Sequence, residues 1–221
     1  MSRKRHRNFE RSIDRLHRRA GKRATRSSIL IVCEGSKTEP KYFERVLAKW
    51  KLATVEVLPA RGSAPTTIVA DAAWRKKARR VEASHSNVVV EYDEVWCVFD
   101  VDAHPRIKTA IKTADENGIN VALTNPCFEF WLLLHFVRFG TTNQNRHQVQ
   151  KELRQYIPGY EKGGDYVDAV FNGIGKAITR AEHILASQWQ VDPEKAVELL
   201  KCNPSTAVHL VMKKLRSMAP V

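Results

Sequence analysis

Between residues 28 and 137, short apolar runs alternate with segments of helical period, and that alternation leaves few folds open. SILIVC (28–33), TVEVLPA (54–60), DEVWCVFD (93–100) and NVALTN (120–125) read as strands. KYFERVLAKW, TTIVADAAWRKKARR and PRIKTAIKTADENG read as the helices between them, the last closed by Gly118. Strands buried on both faces and joined by helices imply a parallel sheet covered on both sides. SHSNVVVEY (84–92) is a loop, with room for one edge strand. PCFEFWLLLHF (126–136) is expected to begin a further helix with Pro126 at its first position.

Parallel sheets of this kind place their sites where the strands end. This chain collects its polar residues there: Glu34-Gly35 after the first strand, Arg61-Gly62 after the second, Asp100 and Asp102 after the third, and Asn125 after the fourth. From about residue 138 the pattern changes. No further strand is expected, helical spacing dominates, and Asn203-Pro204 is expected to open the last helix as N-cap and first residue. The chain thus divides into a basic arm (1–27), an α/β unit (28–137) and a helical C-terminal region (138–221) packed on it.

Asp100 and Asp102 are the sharpest chemical signal. Two residues apart on an extended backbone, their side chains point the same way, with Cα atoms about 6.5 Å apart. Carboxylates that close repel unless a cation or a shared proton lies between them. Mg²⁺ resolves this, because it takes oxygen ligands and one or two carboxylates alongside waters. The plain alternative is a strand that ends in solvated turn acids. Glu34 would face the pair if its strand neighbours theirs, as metal ligand or general acid/base. Glu129 sits in a segment with hardly any polar face, where an unpaired carboxylate is costly. A capping box from Asn125 would explain it, although the reciprocal acid belongs at position 128.

Lys37, Lys41 and Arg61 are candidate phosphate contacts from the same edge. GSKT (35–38) is not a P-loop, since the glycine that motif needs at position 30 is leucine. His104 and His135 lack partners at ligand spacing, and no serine stands in a nucleophile elbow. Cys33, Cys97, Cys127 and Cys202 form no CxxC pair and read as buried free thiols.

Charge adds a partner class. Residues 1–27 carry 11 Lys and Arg against Glu10 and Asp14, while the rest carries 26 basic and 22 acidic residues. A basic arm before a nearly balanced globule suits a polyanion such as nucleic acid, or else a solubilising tail. No apolar run is long enough to span a bilayer and no secretory signal is evident, so a cytoplasmic protein without membrane contact is expected.

The order of an apolar strand ending in CEG, then VFDVD, then NPCFEFWLLLHF resembles the RloB-like family, and NPSTAVHLV resembles its tail. That family is similar to the Toprim superfamily of type IA topoisomerases, bacterial primases and several nucleases. The resemblance implies a Toprim-like (Rossmann-like) parallel sheet flanked by helices, with an α-helical C-terminal extension. It also implies a Mg²⁺- or Mn²⁺-dependent endonuclease in prokaryotic antiphage defence, beside an ABC-type ATPase partner. Glu34, Asp100 and Asp102 would be catalytic and metal-binding, with Glu129 an additional ligand or supporting acid. The substrate would be RNA or DNA, tRNA included. Tyr156, Tyr160 and Tyr166 carry no signature of a topoisomerase nucleophile, so hydrolysis is the simpler expectation. Two other readings stay open: a catalytically silent nucleic-acid-binding adaptor of the ATPase, and a nucleotidyl or phosphoryl transferase.

Overall fold

A computed structural model describes residues 27–101, 106–138 and 144–220. The basic arm up to residue 26, and Asp102 with His104, lie outside the described residues.

The centre is a five-stranded sheet in the order β2-β1-β3-β4-β5. β1 (Ile29–Cys33) is buried at every position because strands flank it on both sides and helices cover both faces. β3 (Glu94–Asp100) is buried from Val95 onward for the same reason. β2 (Val55–Pro59) is the edge and keeps only Val57 fully buried. There Glu56 is free to take the Arg79 guanidinium at 2.8 Å and the Tyr92 hydroxyl. β4 (Asn120–Asn125) pairs in parallel with β3, Asp100 standing beside Thr124.

α1 (Thr38–Trp50) lays Tyr42, Phe43, Val46 and Leu47 into the core. Its Tyr42 ring meets Phe128 edge-on at 5.6 Å and Trp131 at 6.4 Å, which ties α1 to α4 (Glu129–Leu133). α2 (Pro65–Ser84) starts on a proline, and α3 (Ile107–Glu116) is closed by Gly118 at φ +58. Residues 85–93 form no strand, and Val88 is exposed.

The C-terminal part holds α5 (Arg146–Tyr156), α6 (Val167–Val170), α7 (Ile174–His183), α8 (Ala196–Leu199) and α9 (Val208–Met218). It also supplies a strand that sequence did not foresee. β5 (Ser205–Thr206) pairs antiparallel with the end of β4, and the Thr124 and Thr206 hydroxyls lie 3.1 Å apart. Two helix starts differ from expectation as well. Asn125-Pro126 and Asn203-Pro204 are cis peptides, and the helices after them begin at Glu129 and Val208. Asn203 instead clasps the backbone of Gln144, donating to its carbonyl at 2.9 Å and accepting from its N–H at 3.0 Å.

No described helix is long and apolar enough to cross a membrane. All four cysteines are free and buried.

Candidate active site

The strand order fixes where a site can form. The chain leaves β1 towards β2, crosses back, and leaves β3 towards β4, so the reversal falls between β1 and β3. Loops diverge there and open a crevice beyond the strand ends. Glu34 and Asp100 meet at that point. The Glu34 N–H donates to Val98 O at 2.9 Å, and Glu34 Oε2 accepts from the Asp100 N–H at 2.9 Å.

Asp100 is the last residue of β3 and only 7% exposed. Its carboxyl is held well above the usual range, first by burial, then by the charges of Glu34 and Glu39. Arg146, from α5, works against this with a hydrogen-bonded ion pair to Asp100 Oδ2 at 3.1 Å. Glu129 adds a further, smaller push upward.

Glu129 is 1% exposed and stands at the first position of α4, where Phe128 occupies the N-cap. Asn125 belongs to β4, so no capping box joins the two. The Glu129 carboxylate instead accepts from Gln150 Nε2 at 2.9 Å. The buried Cys127 thiol and Tyr160 hydroxyl are both raised, by burial and then by the Glu129 charge.

A fourth acid, Glu39, was not singled out from sequence. It lies in the first turn of α1, 6% exposed, with its carboxylate against the backbone of Gly35. A Cβ added to Gly35 would fall 2.0 Å from Glu39 Oε2, so only glycine leaves room for this carboxylate. Glu39 Oε2 is buried without a hydrogen-bond partner among the described residues. Burial raises the Glu39 carboxyl, and Lys162 opposes the shift.

Glu34, Glu39 and Asp100 border a cleft of about 430 Å³ with Ser63, Lys37 and Lys162, and Glu129 stands outside its lining. The basic residues expected here divide. Lys37 lines the cleft, its stem packed against Gly163. Lys41 is tied to the Gly163 carbonyl, while Gly163 N–H donates to Thr38 Oγ1 at 2.9 Å. Arg61 turns away, stacked 4.1 Å over Trp74 and 3.3 Å from Asp71 Oδ1. Lys162, brought in by the loop between α5 and α6, takes a place that sequence did not assign. Asp102 lies outside the described residues, and among those described no three acid, histidine or cysteine side chains form a ready-made metal cage. A larger cleft, about 920 Å³, opens at the starts of β3 and β4, where Lys214 pairs with Glu94.

The carboxylates suit a hard divalent cation. All the donors are oxygens, one is buried without a partner, and the Asp100 carboxyl lacks enough positive charge to ionise at its ordinary value.

The family model described as RloB-like protein matches residues 29–215, and the chain belongs to that family. No curated protein and no solved structure matches it.

Proposed function

We propose that this RloB-like chain is a divalent-metal-dependent nuclease that hydrolyses phosphodiesters of RNA or DNA. One observation carries the reading. Four acids from three separate strand-to-helix junctions crowd the β1–β3 switch, and three of them, Glu39, Asp100 and Glu129, are buried where an unpaired charge is costly. Asp100, Glu34, Glu39 and Glu129, with Asp102, are the residues that would hold Mg²⁺ or Mn²⁺. When bound, the ion stabilises negative charge on phosphate oxygens and eases deprotonation of water.

The chain's own groups have distinct tasks. Arg146 fixes the Asp100 carboxylate in one orientation. Glu34, tethered through the Asp100 N–H, takes the proton of the attacking water or returns one to the leaving oxygen. Lys37 and Lys162 offer ammonium groups to the phosphate at the rim of the cleft. The excess positive charge of the first 27 residues adds backbone affinity without sequence readout. A defence role beside an ABC-type ATPase belongs to the same proposal and rests on what the resemblance to the family implies.

The test is incubation of the full chain and Mn²⁺ or Mg²⁺ with mixed tRNA, single-stranded DNA and duplex DNA. Cleavage by the wild type and its loss in Asp100→Asn and Asp102→Asn, with the fold retained, is expected. Cleavage that survives both substitutions overturns the mechanism. Calorimetry without any acid-dependent Mg²⁺ binding would turn the reading to the silent adaptor.

A further inference from the structure

Lys176, Arg180 and His183 stand at i, i+4 and i+7 on α7, opposite the buried Ile174, Ala177, Ile178 and Ala181. That spacing makes a line of basic side chains about 10 Å long. Arg138, beyond the end of α4, joins them in lining a groove of about 570 Å³, and among the described residues no acid lines it. Among the described residues, no ion pair engages Arg138, Lys176 or His183. Arg180 Nη1 donates to Leu134 O at 2.7 Å, which fixes its guanidinium in the wall. A further cation is near, since a Cβ on Gly175 would lie 3.2 Å from Arg216 Nη1.

Like charges held together without counter-charge destabilise a fold. The repulsion is evident in Arg180, whose pKa is lowered by burial and then by the charge of Arg138. A ligand that brings negative charge would relieve it. A compact anion is best gripped by donors converging on one point, whereas cations strung along a helix match successive phosphates on a chain. The groove is also linked to the acids. α4 carries Glu129 at its first position and the Arg180-bound Leu134 carbonyl just past its last, so about one and a half turns of helix separate them.

We propose that this groove binds the phosphodiester backbone of the nucleic-acid substrate, further along the strand from the phosphate held at the acids. The inference rests on the reading of the chain as a protein that acts on nucleic acid.

The test uses the full chain in EDTA, with fluorescence anisotropy of a labelled single-stranded RNA, and of DNA of the same sequence, across a salt series. Arg138→Gln/Lys176→Gln should weaken binding by about tenfold at low salt and flatten the log K against log [salt] slope by roughly 1.4, about 0.7 per lost contact. Lys112→Gln/Lys201→Gln, the same charge change outside the groove, should alter neither. Unchanged affinity and slope in the groove variant, or an equal loss in the control, overturns the proposal. So does competition by tripolyphosphate or polyglutamate that the groove variant abolishes while RNA binding stays intact, since the ligand is then a compact anion or an acidic protein. Binding read in EDTA is independent of cleavage. Weakened binding by the groove variant with no metal-dependent cleavage by the wild type removes the nuclease reading and leaves the groove; the reverse result removes the groove alone.

Discussion

The backbone N–H of Asp100 donates to Glu34 Oε2 at 2.9 Å, so the acid that opens the exit loop of β1 is anchored on the end of the neighbouring β3. Glu34 serves as a structural acceptor and a charge at once, and two substitutions separate these. Glu34→Gln keeps an oxygen for the Asp100 N–H and should leave stability equal or higher, because one of several repelling charges is gone. Glu34→Ala leaves that N–H unsatisfied and should cost about 1–3 kcal/mol in urea unfolding. Cleavage should fall by about 10²- to 10⁴-fold in both, the usual effect of losing a general acid/base. Equal stability of the two variants would refute the anchoring role.

Asp100 makes the metal-free protein sensitive to pH. Its folded carboxyl titrates above the unfolded value near 4, owing first to burial and then to the acids around it. Between those two values the folded state keeps a proton that the unfolded chain has lost. Stability from this group is therefore complete below the unfolded pKa and is lost as pH rises through the folded one. In EDTA, Asp100→Asn should melt close to wild type near pH 4 and increasingly above it towards pH 8. A gap that stays constant across the series would show that Asp100 is not the buried, charge-crowded group described above.

The four parallel strands and three crossover helices were legible because burial on both faces demands unbroken apolar runs, as in Ile29–Cys33 and Val95–Phe99. β5 was not legible: Ser205 and Thr206 carry no apolar signal, and only pairing with Thr124 and Asn125 makes them a strand. Glu34 and Asp100 were readable as strand-end acids that topology brings together. Glu39 was hidden by its address, since an acid in the first turn of an amphipathic helix ordinarily complements the helix dipole. Its signal was the glycine four residues earlier, which leaves space for a buried carboxylate. Arg146, Gln150 and Lys162 come from the region outside the alternation, and nothing local marks them as partners of the acids.

The close approach of Glu39 to Gly35 predicts a steric coupling. Gly35→Ala places a methyl where Glu39 Oε2 lies, and the buried carboxylate must move. A loss of about 1–3 kcal/mol is expected, as for overpacking elsewhere. Glu39→Ala vacates that space, so the Gly35→Ala/Glu39→Ala double variant should be more stable than the two single losses predict. Chemical denaturation of all four proteins closes the cycle. Strict additivity would place the Glu39 carboxylate away from Gly35.

His135 predicts a pH dependence of opposite sign. Its ring is buried, with Nδ1 at 2.9 Å from Trp131 O and Nε2 at 3.3 Å from the Tyr42 hydroxyl. In that arrangement a neutral imidazole donates from Nδ1 to the carbonyl and accepts the Tyr42 proton at Nε2. Burial lowers the folded pKa to about 4. Below the unfolded value of about 6.5, the unfolded chain binds a proton that the folded state refuses. The stability this group contributes is present above that value and is lost as pH falls towards the folded one. From pH 7 to pH 5 the loss should be about 2 kcal/mol, at 1.36 kcal/mol per unit. Urea unfolding of wild type and His135→Gln isolates it from Asp100, which acts in the other direction over the same range. The variant should start less stable at pH 7 and lose less on acidification. A wild-type and variant pair that fall in parallel from pH 7 to 5 would show that His135 accepts its proton in the folded state as readily as in the unfolded chain.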